Sequence, residues 1–195
     1  MPNQISKQWY KDDYLISTDR SLLDLKAIND ALDSELLWWT RRVSEDALRR
    51  MIDNSLCLGI YKLPGSTADI AGTSSVMDPV LFQPSLGKKG PELVGLARIV
   101  TDYVTIGYLA DIYVLPSHQG KGLAPWLMDC LNEILDEWPD LRRFLLLTSS
   151  PQASKLYEQA LGTLEWGQSN SGKLYLLEKR GLSMPEGPPG TDDDE

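Results

Sequence analysis

The run Leu109-Ala110-Asp111-Ile112-Tyr113-Val114-Leu115 stops at Pro116 and leads, through Ser117 and His118, into Gln119-Gly120-Lys121-Gly122-Leu123-Ala124. The first seven residues read as a strand. From Leu123 to Glu137 the apolar residues Leu127, Leu131, Ile134, Leu135 and Trp138 recur at helical spacing, and Pro139 ends the pattern. Between strand and helix, two glycines let the backbone curl with its N–H groups inward, and the helix adds unpaired N–H groups and the positive end of its dipole. The natural guest of such a turn is a phosphate or pyrophosphate. Two other phosphate loops do not fit: a P-loop needs Gly at position 115 and Ser or Thr at 122, where Leu115 and Gly122 stand. A dinucleotide fingerprint needs a third spaced glycine, which is absent.

Working outward, Ile106 to Leu115 follows a tight turn at Asp102-Tyr103, and Leu93 to Thr101 precedes it as a strand, giving an antiparallel meander. Ser55 to Lys62 reads as an earlier strand. The Pro/Gly/Ser-rich interval from Pro64 to Pro91 is too long for a hairpin connection and reads as an insertion. Upstream, Ser44 signals a helix carrying Leu48, Met51 and Ile52, with Asn54 as its stop. Tyr14 to Thr18 reads as the first strand, and Asp19 or Ser21 as the cap of a helix bearing Leu22, Leu25, Ile28, Ala31 and Leu32. The aromatic bend Leu36-Leu37-Trp38-Trp39 joins the two helices. Downstream, Phe144 to Thr148 is an apolar run suited to a buried strand, Pro151 opens a helix over Gln152 to Leu161, and Glu165–Gln168 with Lys173–Leu177 reads as a terminal hairpin.

Composition sets bounds on function. At 195 residues and 42% hydrophobic residues, with six Trp and eight Tyr, the chain fills one domain's core. Cys57 and Cys130 have no metal-ligand spacing and read as buried, reduced thiols, so no metal is expected. The net charge of −9 argues against nucleic-acid binding. Five of those charges, Glu186 and Asp192 to Glu195, lie in a Pro/Gly-rich tail read as disordered, and setting them aside leaves −4, which mildly favours a cationic substrate. No apolar run of about 18 residues is present. With the polar and aromatic opening Met1 to Asp13, this gives the expectation of a cytoplasmic protein without membrane attachment.

The pattern Gln119, Gly122, Ala124 resembles the pyrophosphate loop of the GCN5-related N-acetyltransferases (GNAT): Gln or Arg, two residues, Gly, one residue, Gly or Ala. The order β-α-α-β-β-β-α-β-α-β-β over roughly Tyr14 to Lys179 is similar to that family's order, as is the run Leu147 to Glu158 to its fifth strand and following helix. The resemblance implies an α/β (α+β) GNAT fold: a mixed, mostly antiparallel, twisted sheet of six to seven strands, about four flanking helices, and a V-shaped splay between the fourth and fifth strands. The domain would span residues 14–180 with insertion 64–91, after an N-terminal extension 1–13 and before the tail 181–195.

The same resemblance implies acetyl-CoA as cosubstrate. Backbone groups around Ile112, Tyr113 and Val114 would pair with the pantetheine arm, and Gln119, Gly120, Lys121, Gly122, Leu123 and Ala124 would hold the pyrophosphate. Tyr157 falls where many members carry a tyrosine that protonates the departing thiolate; a phenol of pKa near 10 suits that role, and a core tyrosine is the alternative. In this family a Gly usually stands four residues after that tyrosine, whereas Gly162 stands five after Tyr157. Asp111 is the candidate base for the attacking amine, or else a structural carboxylate; strand alternation places it on one face with Leu109 and Tyr113. Trp38 and Trp39 would border the acceptor pocket and could hold an amine by cation–π contact, or simply pack. His118, the only histidine, reads as a surface residue. The implied activity is direct transfer of acetyl to a primary amine of a small molecule, no cysteine standing at the inferred acetyl site. Protein lysine or N-terminal acetylation, transfer of a longer acyl group, and a non-catalytic acyl-CoA-binding scaffold are the competing readings. The insertion has two open uses, a substrate lid or the contact of a homodimer.

Overall fold

The computed structural model describes residues 6–65 and 90–165. Six strands form one sheet in chain order: β1 (Gln8–Lys11), β2 (Tyr14–Ser17), β3 (Ser55–Lys62), β4 (Glu92–Thr101), β5 (Ile106–Val114) and β6 (Arg143–Leu146). Neighbours are antiparallel from β1 to β5, and β6 lies parallel to β5. Four helices accompany them among the described residues: α1 (Leu25–Leu32), α2 (Glu45–Asp53), α3 (Leu123–Leu135) and α4 (Pro151–Leu161). This is the mixed α/β architecture expected. The proposed terminal hairpin, insertion and tail lie essentially outside the described residues.

Alternation along β3 divides the core in two. Leu56, Leu58 and Ile60 face a cluster shared with Leu123, Leu127 and Leu131 of α3, whereas Cys57 and Tyr61 face a cluster shared with Ile28 and Leu32 of α1 and Leu48 and Ile52 of α2. Both faces are thus covered, so β3 reads as a continuous apolar run rather than as an alternating one. Gly59 leaves room for the Tyr61 ring: a Cβ there would collide with the Tyr61 hydroxyl.

Three local outcomes differ from the sequence reading. The segment before Tyr14, read as an extension, supplies β1, which pairs residue for residue with β2; the predicted fourth and fifth strands are therefore β5 and β6. Asp19 caps only a single 3-10 turn, and the cap of α1 is Asp24, whose carboxylate accepts from the Ala27 N–H at 3.1 Å. The third concerns β5. Arg98 pairs with Asp111 but Ile99 pairs with Leu109, which leaves Ala110 as the extra residue of a β-bulge. Leu109 accordingly belongs to the α3 side of the core and Tyr113 to the α1/α2 side, so the expectation that Leu109, Asp111 and Tyr113 share one face is corrected. A one-residue bulge inverts every side chain beyond it.

Candidate active site

The parallel pairing of β5 with β6 runs from Ile106–Arg143 to Leu109–Leu146 and stops there. It ends at the bulge. Beyond Leu109, β5 continues through Ile112, Tyr113 and Val114 with no β6 partner, while Leu147 departs into solvent, 65% exposed. The strands therefore open in the V that the sequence reading placed between them.

At the far end of that V lies the glycine turn. The Gln119 side chain donates to the Val114 carbonyl at 2.8 Å, and the Leu115 N–H donates to Val94 at 2.8 Å, which ties the turn to the strand ends. Gly120 and Gly122 both take left-handed backbone conformations, at φ 73° and 71°. A side chain would be strained at either. A Cβ on Gly120 would meet nothing within 4 Å, and one on Gly122 would meet only the Lys11 ammonium at 4.0 Å. α3 starts on Gly122 without a side-chain cap. Among the described residues no hydrogen bond engages the N–H groups of Gly120, Lys121, Gly122, Leu123 or Ala124. Open space lined by five unpaired donors at a helix start fits a pyrophosphate.

Around this turn the polar groups form a chain. The Lys121 ammonium donates to the Tyr14 hydroxyl at 3.2 Å, and that hydroxyl lies 2.9 Å from Nδ1 of His118. Because lysine carries donors only, Tyr14 accepts from it; the hydroxyl keeps a second lone pair and its own proton for His118, so the direction of that bond follows the histidine tautomer. Burial, with the nearby Lys121 charge, pushes the His118 pKa below 6.5, consistent with a neutral ring. His118 is half-buried and supports the loop.

Asp111 is buried against Arg98. Its Oδ2 accepts from Arg98 Nε at 2.5 Å, with the two side chains only 6% and 14% exposed, and Arg98 Nη1 donates to Ser55 Oγ at 3.2 Å. The pair crosses β4 and β5 beside the bulge and reaches β3. Behind it, Arg20 donates to the Ser55 carbonyl at 2.8 Å and to the Tyr103 hydroxyl at 2.9 Å.

Tyr157 lies on α4, whose N-terminus is set by Ser150, accepting from the Ala153 N–H at 3.2 Å, and by Pro151 in the first turn. Gly162, at φ 63°, caps its other end, five residues after Tyr157. The ring is buried in the α3-side core, lining a cavity of about 560 Å³ that runs along Leu145 to Ser150. Burial raises the phenol's pKa, so it keeps its proton at neutral pH.

A sequence model described as the acetyltransferase (GNAT) family matches residues 69–163. A Gibberella zeae protein named "Putative acetyltransferase FG08082" is 37% identical over 182 residues, covering 93% of this chain and 94% of that one. The chain belongs to the GNAT acetyltransferase family. A crystal structure of a Xanthomonas campestris protein described as a GNAT family member is 30% identical, with a TM-score of 0.58 over 87% of this chain and 94% of that one. The spermidine N-acetyltransferase of Vibrio cholerae, solved with CoA and spermine, is similar in fold alone, at 16% identity and a TM-score of 0.51 over 77% and 80% of the two chains.

In this GNAT chain, the segment between α1 and α2 packs its 3-10 turn Glu35–Leu37 against β5. Trp38 and Trp39 stand edge to face there with ring centroids 5.9 Å apart, both half-buried, and Trp39 also packs on the α1/α2 core. Neither cysteine is free to ionise at neutral pH: both are buried, and burial pushes both thiols up to about 12. Among the described residues no His/Cys/Asp/Glu group could hold a metal, and no helix is long and apolar enough to cross a membrane. Sequence reasoning missed Arg98, Tyr14 and Lys11. Arg98 did carry a signal, a lone charge inside the apolar strand Leu93 to Val100, which calls for a buried partner.

Proposed function

We propose that this GNAT member is an acetyl-CoA-dependent N-acetyltransferase acting on a primary amine of a small molecule. The observation that carries the reading is the continuity of the opened edge of β5 with the donor-lined turn at Gly120 to Ala124. Acetyl-CoA supplies an activated thioester, whose exchange with a neutral amine forms a C–N bond, breaks the C–S bond and moves one proton from nitrogen to sulfur. The chain's task is chiefly to orient the partners in a dry cleft. Residues Ile112 to Val114 offer backbone groups on the open edge to the pantetheine arm, and the turn holds the pyrophosphate. Tyr157 holds a proton on its hydroxyl for the leaving sulfur.

Asp111 takes the structural role of the two open to it. Its charge is matched by Arg98 within the core, where it fixes the bulge that ends the β5–β6 pairing. The amine then enters as its free base, between the strand opening and the Trp38-Trp39 segment. The test is a panel of small primary amines incubated with acetyl-CoA, with released CoA thiol and acetylated amine both measured. Amine-dependent thiol release with matching product supports the reading; release without acetylated amine, or none across the panel, removes it.

A further inference from the structure

Lys11 belongs to no motif and precedes the first strand that sequence reasoning recognised, yet its ammonium is the group that a Cβ on Gly122 would meet, at 4.0 Å. It is brought there by a ladder of contacts. Residues 7, 9 and 11 share one face of the β1 segment, and that face runs antiparallel along α3. Lys7 pairs with Glu137 near the helix C-terminus, and Trp9 Nε1 donates to Glu133 Oε2 at 2.7 Å. Lys11, next in the ladder, lies 6.0 Å from the Trp126 ring centroid in the first turn. The tight turn into β2, with Asp12 at φ 52°, fixes where β1 ends.

The charge balance at this spot is unusual for an acidic chain. Lys7 has its carboxylate, but Lys11 forms no ion pair among the described residues, and the hydrogen-bond partner of Lys121 is the neutral Tyr14 hydroxyl. Two cations without counter-ions thus flank five N–H groups without acceptors. What is missing is an anion with several oxygens.

We infer that Lys11 is a ligand of the CoA pyrophosphate, closing the turn from the β1 side opposite Lys121; this rests on the acetyl-CoA reading above. The pyrophosphate is favoured over the ribose 3′-phosphate because Lys11 stands over Gly122, inside the donor-lined turn. The side chain is exposed, so its truncation leaves the fold intact.

The test is isothermal titration of the full chain with CoA and with dephospho-CoA, which lacks the 3′-phosphate. Lys11→Ala is compared with the wild type, with Lys11→Arg, and with Lys26→Ala as a control that removes an equal charge elsewhere. The expected result is a loss of about fivefold in affinity for both ligands in Lys11→Ala, near-wild-type binding in Lys11→Arg, and no change in Lys26→Ala. Unchanged binding in Lys11→Ala overturns the inference, as does an equal loss in Lys26→Ala. A loss confined to CoA moves Lys11 to the 3′-phosphate and overturns the assignment. Failure of the wild type to bind either ligand removes the acetyl-CoA reading itself, and this inference with it.

Discussion

Replacing Arg98 by methionine would leave the Asp111 carboxylate inside the sheet without its counter-ion. With the two side chains 14% and 6% exposed, solvent cannot take over the lost interaction, and Ser55 loses a donor as well. Removing one partner of a buried pair costs about 3–5 kcal/mol. For a chain of this length each kcal/mol lowers Tm by about 2–4 °C, so the single change should lower it by about 6–20 °C. The double change Arg98→Met/Asp111→Leu removes both charges and replaces them with apolar volume, which is often neutral; it should return to within about 1 kcal/mol of the wild type. Urea titration followed by tryptophan fluorescence reads all three proteins. The reasoning is refuted if Arg98→Met costs less than about 1 kcal/mol, or if the double variant is no more stable than the single one. The double variant also separates the two roles of Asp111. If Asp111 is only the structural partner of Arg98, and the apolar pair holds the bulge in its place, the refolded double variant keeps turnover within a few-fold. A fall of about 100-fold or more, with loss of the acid limb of the pH profile, would make Asp111 the base.

Tyr157→Phe should lower kcat by about 100-fold while leaving Tm nearly unchanged, measured by thiol release and thermal melting; a kcat within threefold of wild type would remove the general-acid role. His118 is the sole histidine, so its ring protons can be followed by NMR without ambiguity. Because burial and Lys121 depress its folded pKa, the unfolded chain binds more protons between that value and 6.5. The NMR midpoint should therefore fall below 6.5, and the His118 contribution to stability should diminish as pH drops from 6.5 towards the folded value; a midpoint above 6.5 contradicts the burial of the ring beside the Lys121 charge. Cys57 and Cys130, with thiols pushed up to about 12, should react slowly with a disulfide reagent at pH 8 and rapidly once unfolded; fast native reaction would show that one of them is accessible.

Much of the fold was legible because it rests on local chemistry. Ser44 and Asn54 bound α2 as read, Pro151 opens α4, and the apolar spacing from Leu127 to Ile134 marks the buried stripe of α3. The glycine turn was legible for the same reason, since positive φ at Gly120 and Gly122 is a property that the residue type itself announces. What escaped depends on pairing between distant segments. Gln8 to Lys11 is too short and polar to announce a strand, and becomes one only against β2, with Trp9 and Lys7 tied to α3. The bulge at Ala110 follows from the register of β4 on β5, which alternation within one strand cannot show. Asp111 could be placed near the opening, but its commitment to Arg98 needed the neighbouring strand. The additional helical cap at Asp24 was hidden by two earlier polar residues, Asp19 and Ser21, that serve the 3-10 turn instead.

The central claim is that the turn at Gly120 to Ala124, joined to the open edge of β5, holds acetyl-CoA. Isothermal titration of the wild type with acetyl-CoA, beside Gly122→Trp, tests it most directly. The substitution places an indole in the turn and costs about 1–2 kcal/mol of backbone strain, so a circular-dichroism melt must first show that the variant is folded. One-site binding by the wild type that is lost in the folded variant is the predicted result. A wild type that does not bind, or a variant that binds as well as the wild type, would contradict it.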